Sequence, residues 1–184
     1  MRFSKAKLER ALDDAPPEAW AAGMEWYGEA NRWCRRVARE KSLTPHRVAG
    51  IVAALSPNQG WEPNKRETLR LIDTRRCAQF PRNVERALEI LDGARPLDVL
   101  GGNKVRSFYR NIAYLCPESV TIDRHAASVL TGVPSPEWAN PPYKHLLEAK
   151  FRYEQASDIY RNVAESLGIL PHQAQAIAWV AHRM

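Results

Sequence analysis

Apolar positions along this chain recur at intervals of three and four residues, and no stretch alternates with a period of two, so the pattern predicts helices and no strand. Lys5 to Leu12 reads as a short helix. After Pro16 and Pro17 a long one runs to about Lys41, with Trp20, Met24, Tyr27, Asn31 and Cys34 along one side and Trp26 and Trp33 in an adjoining stripe. Thr44 before Pro45 has the form of an N-cap with proline at the first helical position. The helix that follows, His46 to Leu55, carries Val48, Ile51, Val52 and Leu55 and should be central. Two more are expected from near Pro63 to about Arg76 and from Asn83 to Leu91, the second ended by Asp92 and Gly93.

Gly101 and Gly102 end one element and open the next, because glycine tolerates the positive φ of a tight reversal. Val105, Phe108, Tyr109, Ile112 and Leu115 then fall at helical spacing, which places Lys104 in the first turn and turns the apolar face inward. Pro117 stops this helix. Val120, Thr121 and Ile122 form a short extended link to Asp123, a favoured N-cap residue, which starts the next helix. The proline-rich segment from Gly132 to Tyr143 reads as a loop or linker. Pro142 is expected to open a long helix through Leu167, ended by Gly168, and Pro171 precedes a final helix to Arg183. The expectation is an all-α bundle of about nine helices, residues 1–184 forming a single domain.

Two motifs resemble those of a known superfamily. Gly102, Asn103, Lys104 and Val105 resemble the hairpin and following helix start of the helix-hairpin-helix DNA glycosylases, the group of endonuclease III and 8-oxoguanine glycosylase. Ile122, Asp123, Arg124 and His125 resemble that group's hydrophobic-Asp-x-His segment, and the nineteen residues from Lys104 to Asp123 match its lysine-to-aspartate spacing. The stretch Ala53 to Asn64 is similar to a family segment in which a helix ends in a polar loop and restarts near a Trp and an Asn. The likeness covers about Val48 to Leu130. It implies two lobes around a cleft, with a hairpin-containing core at about 44–131 and terminal helices, 1–43 and 142–184, packed together so that Trp20 to Cys34 meet Gln173 to Trp179.

The hairpin departs from the family pattern. Leu97, Asp98, Val99, Leu100, Gly101, Gly102, Asn103 and Lys104 stand where the usual motif reads Leu-x-x-Leu-Pro-Gly-x-Gly-x-Lys, two residues longer. Cys34, Cys77 and Cys116 are too few and too scattered for the iron–sulfur loop of some relatives, and are read as buried small hydrophobes of a reducing, cytoplasmic compartment. If the chain is phage-encoded, that compartment is the host cytoplasm. No apolar run approaches a membrane span, and the five histidines show no zinc spacing; neither a cofactor nor a metal is expected. A monomer is expected. The net charge of +6 and a pI near 9.4 suit a polyanion, with Arg32, Arg35, Arg36, Arg39 and Lys41 in one cluster and Lys65, Arg66, Arg70, Arg75 and Arg76 in another. A merely soluble basic surface is the alternative.

The resemblance makes DNA the partner and assigns roles. Asp123 would stabilise an oxocarbenium-like sugar or activate its attacker. Lys104 would be the nucleophile that displaces the base, its amine favoured by burial near a helix start. Read without the family, Lys104 is a phosphate-pairing surface lysine and Asp123 a cap. Asn58, Gln59 and Trp61 would fill the gap left by an extruded base or stack on it, or else are turn and core residues. Asn64 caps the next helix. Gly101, Gly102, Asn103, Arg106, Arg124 and His125 complete the expected DNA- or substrate-binding set. Gln175 and Trp179, four apart on the last helix, either line the pocket or pack the end helices together. Cleavage of the N-glycosidic bond of a damaged or modified base is the leading expectation. The alternatives are a phage-type transferase acting on a pyrophosphorylated 5-hydroxymethyluracil base and a non-catalytic DNA-binding module.

Overall fold

The computed structural model describes residues 2–140 and 143–184. Among them the chain forms eleven α-helices and one 3-10 helix, and no strand. The helices are α1 (Lys5–Asp13), α2 (Pro17–Glu40), α3 (Pro45–Leu55), α4 (Trp61–Thr74), α5 (Pro81–Leu91), α6 (Pro96–Val99), α7 (Asn103–Tyr114), α8 (Arg124–Thr131), α9 (Tyr143–Glu148), α10 (Lys150–Leu167) and α11 (Pro171–Ala181); the 3-10 helix is Ser135–Ala139. They divide into two compact units, one of Met1–Gly28 with Leu115–Met184 and one of Glu29–Tyr114, and α2 contributes to both. Residues 44–114 of the expected core fall in the second unit and residues 115–131 in the first.

In the second unit α3 is the centre. Every residue from Val48 to Leu55 is buried, and α4, α5, α6 and α7 pack around it. Burying Val48, Ile51, Val52 and Leu55 contributes about 1.5–3 kcal/mol each. Thr44 caps the helix by accepting from the Arg47 amide, as the Thr-Pro signal predicts. Gly50 has no side chain because Pro96 of α6 occupies the space: a Cβ would stand 2.7 Å from its Cγ.

The first unit is built on α1, α8, α10 and α11, whose shared core includes Leu8, Leu12, Ile122, Leu130, Tyr160 and Ile177. Gly23 of α2 lets α11 approach so closely that an added Cβ would lie 2.5 Å from the Ile177 amide nitrogen. Trp26 meets Trp179 edge-on, with centroids 6.2 Å apart.

The structure corrects several expectations. Among the described residues the α-helices number eleven rather than nine, one of them the single turn of α6 that Pro96 opens. The expected continuous helix to Leu167 breaks at Ala149, whose backbone is extended, into α9 and α10. The break lets α9 pack on the 3-10 helix, with Trp138 and Tyr143 rings 5.5 Å apart, while α10 packs on α1 and α11. Pro142, expected to open that helix, lies outside the described residues. Helix α4 begins at Trp61, since proline is tolerated in a first turn, and α5 begins at Pro81. Helix α7 ends at Tyr114, before Pro117, because Leu115 takes a left-handed φ of 50° and stands exposed. Of the cysteines only Cys34 is fully buried.

Gly23→Ala is expected to lower unfolding free energy by about 1–3 kcal/mol through overpacking against the Ile177 backbone, although alanine is the better helix former. Urea denaturation followed by circular dichroism measures it; an unchanged or raised midpoint would contradict the close approach.

Candidate functional site

Asp123 is the N-cap of α8, and both of its carboxylate oxygens are engaged. Oδ1 accepts from the amides of His125 at 3.0 Å and Ala126 at 2.8 Å, while Oδ2 accepts from the indole Nε1 of Trp179 at 3.2 Å. The helix start thus holds one oxygen by its own amides, and α11 reaches across to the other. The residue remains partly exposed.

Its approach is also held. The link before Asp123 has no helix of its own, so its buried amide and carbonyl groups need partners from elsewhere. Tyr153 of α10 supplies one hydroxyl for two of them: it accepts from the Ile122 amide at 3.0 Å and donates to the Val120 carbonyl at 2.8 Å. The Tyr160 hydroxyl, from further along α10, donates to the Ala126 carbonyl at 3.2 Å. Burial and the nearby Asp123 charge push the Tyr160 phenol well above its ordinary value, so it stays a donor.

Aromatic and basic groups surround the carboxylate. The His125 ring lies edge-on to Trp179 at 6.3 Å and to His182 at 5.6 Å, and the Arg183 guanidinium sits 4.4 Å over the Trp179 ring. Arg124 is exposed, and its Nε lies 3.5 Å from His125 Nε2. Burial lowers the His125 pKa, and the positive charges of Arg124, His182 and Arg183 lower it further against the pull of Asp123. Behind this wall the Tyr27 hydroxyl donates to Gln175 Oε1 at 2.8 Å, and His172 packs edge-on to Tyr27 at 5.3 Å. Of the two alternatives, Gln175 takes the packing role, joining α11 to α2 through Tyr27, while Trp179 donates to the Asp123 carboxylate.

The remaining expected residues belong to the unit Glu29–Tyr114. There the one-turn α6, the turn Leu100–Gly102 and the start of α7 make a helix-turn-helix connection. Gly102 has a φ of 77°, as a reversal requires, and its carbonyl accepts from the Arg106 amide at 3.2 Å. Arg106 Nη1 reaches back to the Leu100 carbonyl at 3.5 Å. Beside Gly101 lies the Arg86 guanidinium, the end of a flexible side chain, 2.9 Å from where a Cβ would be. Asn103 opens α7, and Lys104 stands half-buried in its first turn.

In the loop after α3, Asn58 is exposed with a φ of 61°, a conformation asparagine tolerates. Gln59 instead has its Oε1 buried. Trp61 packs edge-on to Trp33 at 5.8 Å under the Lys65 ammonium. Asn64 is not a cap. It lies buried inside α4 with Nδ2 donating to the Val52 carbonyl at 3.1 Å, and Gly60 takes the cap position.

The structure therefore brings Asp123, Arg124 and His125 together with Trp26, Trp179, His182 and Arg183. The sequence reading missed Tyr153, Tyr160, His182 and Arg183, because their roles come from three-dimensional proximity and no local spacing announces them. Among the described residues no group of three His, Cys, Asp or Glu side chains is placed to hold a metal ion, and no helix is long and apolar enough to cross a membrane.

Two outcomes are expected. Tyr153→Phe leaves a buried amide and a buried carbonyl without their partner and should cost about 1–3 kcal/mol in urea unfolding; a cost near zero would remove the clamp. His172 is buried, and its pKa is lowered by burial, partly offset by a hydrogen bond to the Cys116 backbone. Its folded value lies below the ordinary value near ~6.5, so its contribution is complete above ~6.5 and is lost as pH falls through the folded value. His125 acts in the same direction. The unfolding midpoint should fall as pH drops from ~6.5 toward ~5, and His172→Gln should flatten that fall; an identical pH dependence in the variant would refute the assignment.

No curated protein and no solved structure gives a significant match to the chain. Residues 4–184 match the Family of unknown function (DUF7178), and the chain belongs to that family.

Proposed function

We propose that this chain is a DNA base-processing enzyme of the helix-hairpin-helix glycosylase type, which flips a nucleotide out of the duplex and cleaves the N-glycosidic bond of a damaged or modified base. The observation that carries the reading is the Asp123 carboxylate, held at a helix start by two amides and an indole. A carboxylate so fixed is suited to the positive charge that develops on the sugar as the C1′–N bond lengthens, with little reorganisation at the moment of reaction. The departing base takes the bonding electron pair and a proton. Water, or the Lys104 amine, forms the new bond to C1′.

Further support comes from the turn Leu100–Gly102, which joins α6 to α7 and puts Lys104 in the first helical turn, and from the basic side chains of Arg86 and Arg106 at that turn. His125, kept neutral by its surroundings, is suited to hydrogen bonding and stacking rather than to fixed charge. The enzyme would act as a monomer in the cytoplasm, or in the host cytoplasm if phage-encoded, and without a cofactor. A second reading is favoured by the shortened hairpin sequence: a phage-type transferase in which an amine displaces pyrophosphate from a 5-hydroxymethyluracil derivative and leaves the glycosidic bond whole.

Mass spectrometry of free bases and nucleosides, after incubation with DNA carrying different modified bases, separates these readings. A glycosylase releases the base; a transferase returns a nucleoside of new mass; a binding module changes nothing. Asp123→Asn is expected to slow the reaction at least about a hundredfold, the order lost with a catalytic acid–base group. If Lys104 is the nucleophile, borohydride traps a protein–DNA adduct in the parent chain and none in Lys104→Gln. Full turnover in Asp123→Asn would defeat the enzymatic reading.

A further inference from the structure

We propose that the unit Glu29–Tyr114 carries a binding surface for an unpaired DNA strand, formed by α2 and α4 around Trp33 and Trp61. The proposal rests on the reading of this chain as an enzyme of DNA bases and assigns that partner a surface on the unit that does not hold the Asp123 carboxylate.

The charge distribution comes first. The unit Glu29–Tyr114 contains 17 Lys and Arg against nine Asp and Glu, a surplus of eight positive charges, whereas the other unit contains ten against 12, a deficit of two. All of the chain's net positive charge therefore resides in one unit, although the sequence as a whole reads only as moderately basic.

Two contacts align the helices that carry much of it. Trp33 of α2 meets Trp61 at the start of α4, with centroids 5.8 Å apart, and Lys41, just past α2, pairs with Asp73 near the end of α4 at 2.6 Å. The second half of α2 and α4 accordingly run side by side in the same direction, over a strip of roughly 12–18 Å at 1.5 Å per residue. Arg36 and Arg39 on α2 and Arg66 and Arg70 on α4 are exposed on these two helices. Acidic neighbours hold two of them weakly: Arg36 is 3.8 Å from Glu40 and Arg70 is 3.9 Å from Glu67. Such surface pairs contribute little and exchange readily for phosphate oxygens.

The aromatic residues decide the kind of polyanion. Trp33 and Trp61 are half-buried, and the Lys65 ammonium lies 5.6 Å from the Trp61 ring. A π face beside cations is the arrangement on which unpaired bases stack while the backbone follows the charge. A membrane would instead need exposed apolar side chains to insert. The large exposed hydrophobic residues of this unit, Phe80 and Tyr114, lie on other elements.

The test uses the full chain and a fluorescent oligonucleotide of unmodified bases, single-stranded or annealed to its complement, with anisotropy read across a salt series. Arg36→Gln, Arg66→Gln and Arg70→Gln together are expected to lower the slope of log affinity against log salt by about 2 on the single strand, at about 0.7 for each phosphate that is no longer neutralised. Trp33→Ala is expected to weaken single-strand binding about tenfold and duplex binding far less. Arg10→Gln with Lys150→Gln, exposed on the other unit, should leave the slope unchanged. The three arginines are exposed, so that variant keeps its fold, checked by circular dichroism, even if Trp33→Ala does not.

An unaltered slope in the triple variant overturns the proposal. So does an equal loss on single strand and duplex, or preferential binding of anionic phospholipid vesicles through the same arginines. The outcome is separable from the enzymatic reading. A reduced slope in a chain that acts on no modified base keeps the surface and sinks the glycosylase, whereas base release with an unaltered slope does the reverse.

Discussion

Much of the first unit depends on how one buried, non-helical stretch of backbone finds its partners. Between α7 and α8 the chain passes through Val120, Thr121 and Ile122, all buried and none helical, so their amides and carbonyls lack the partners a helix would supply. A single phenol from α10, that of Tyr153, accepts from one and donates to another. The next residue is Asp123. Its carboxylate takes over where the phenol stops, accepting the first amides of α8 and the indole of Trp179. The position of the acidic group is therefore a property of α8, α10 and α11 together, and the residues that create it lie far apart in the chain.

This coupling explains why stability and the proposed chemistry are hard to separate at Asp123. A helix cap and a reactive carboxylate make the same demand, which is a rigid oxygen with its lone pairs aimed by fixed donors. Asp123 meets both at once. The surrounding groups then set the local charge: His125 is held toward neutrality by burial and by Arg124, His182 and Arg183. Tyr160 is held protonated by burial and by the carboxylate itself. The cysteines show the same dependence on surroundings. Burial pushes the Cys34 thiol up to about 12, whereas at Cys116 burial is outweighed by hydrogen bonds from Ser119 and nearby amides, and the pKa falls.

Much of the local structure was legible in the sequence because its causes are local. Thr44 with Pro45, Asp123 and Gly168 mark helix ends through bonds and φ values that involve only their neighbours, and each occupies the predicted role. The apolar run of α3 gave its central place correctly, since a helix apolar on all sides must be covered on all sides. Failures occurred where distant packing overrode such signals. Asn64 has the chemistry of a cap but serves as a buried donor to Val52. Leu115 continues an apolar stripe yet leaves the helix and stands exposed. Nothing in Glu148, Ala149 and Lys150 forecasts a break, because the break answers to what α9 and α10 pack against.

The sequence by itself determined that the chain is helical, where most helices begin and end, that Lys104 stands in a first turn and that Asp123 caps the following helix. These follow from periodicity, caps and backbone preferences, whose energies act within one or two turns. Tertiary structure alone decided that Trp179 donates to Asp123 and that Tyr153 holds the link before it. Each of those depends on which side chains arrive from remote helices, and one-dimensional spacing holds no record of that.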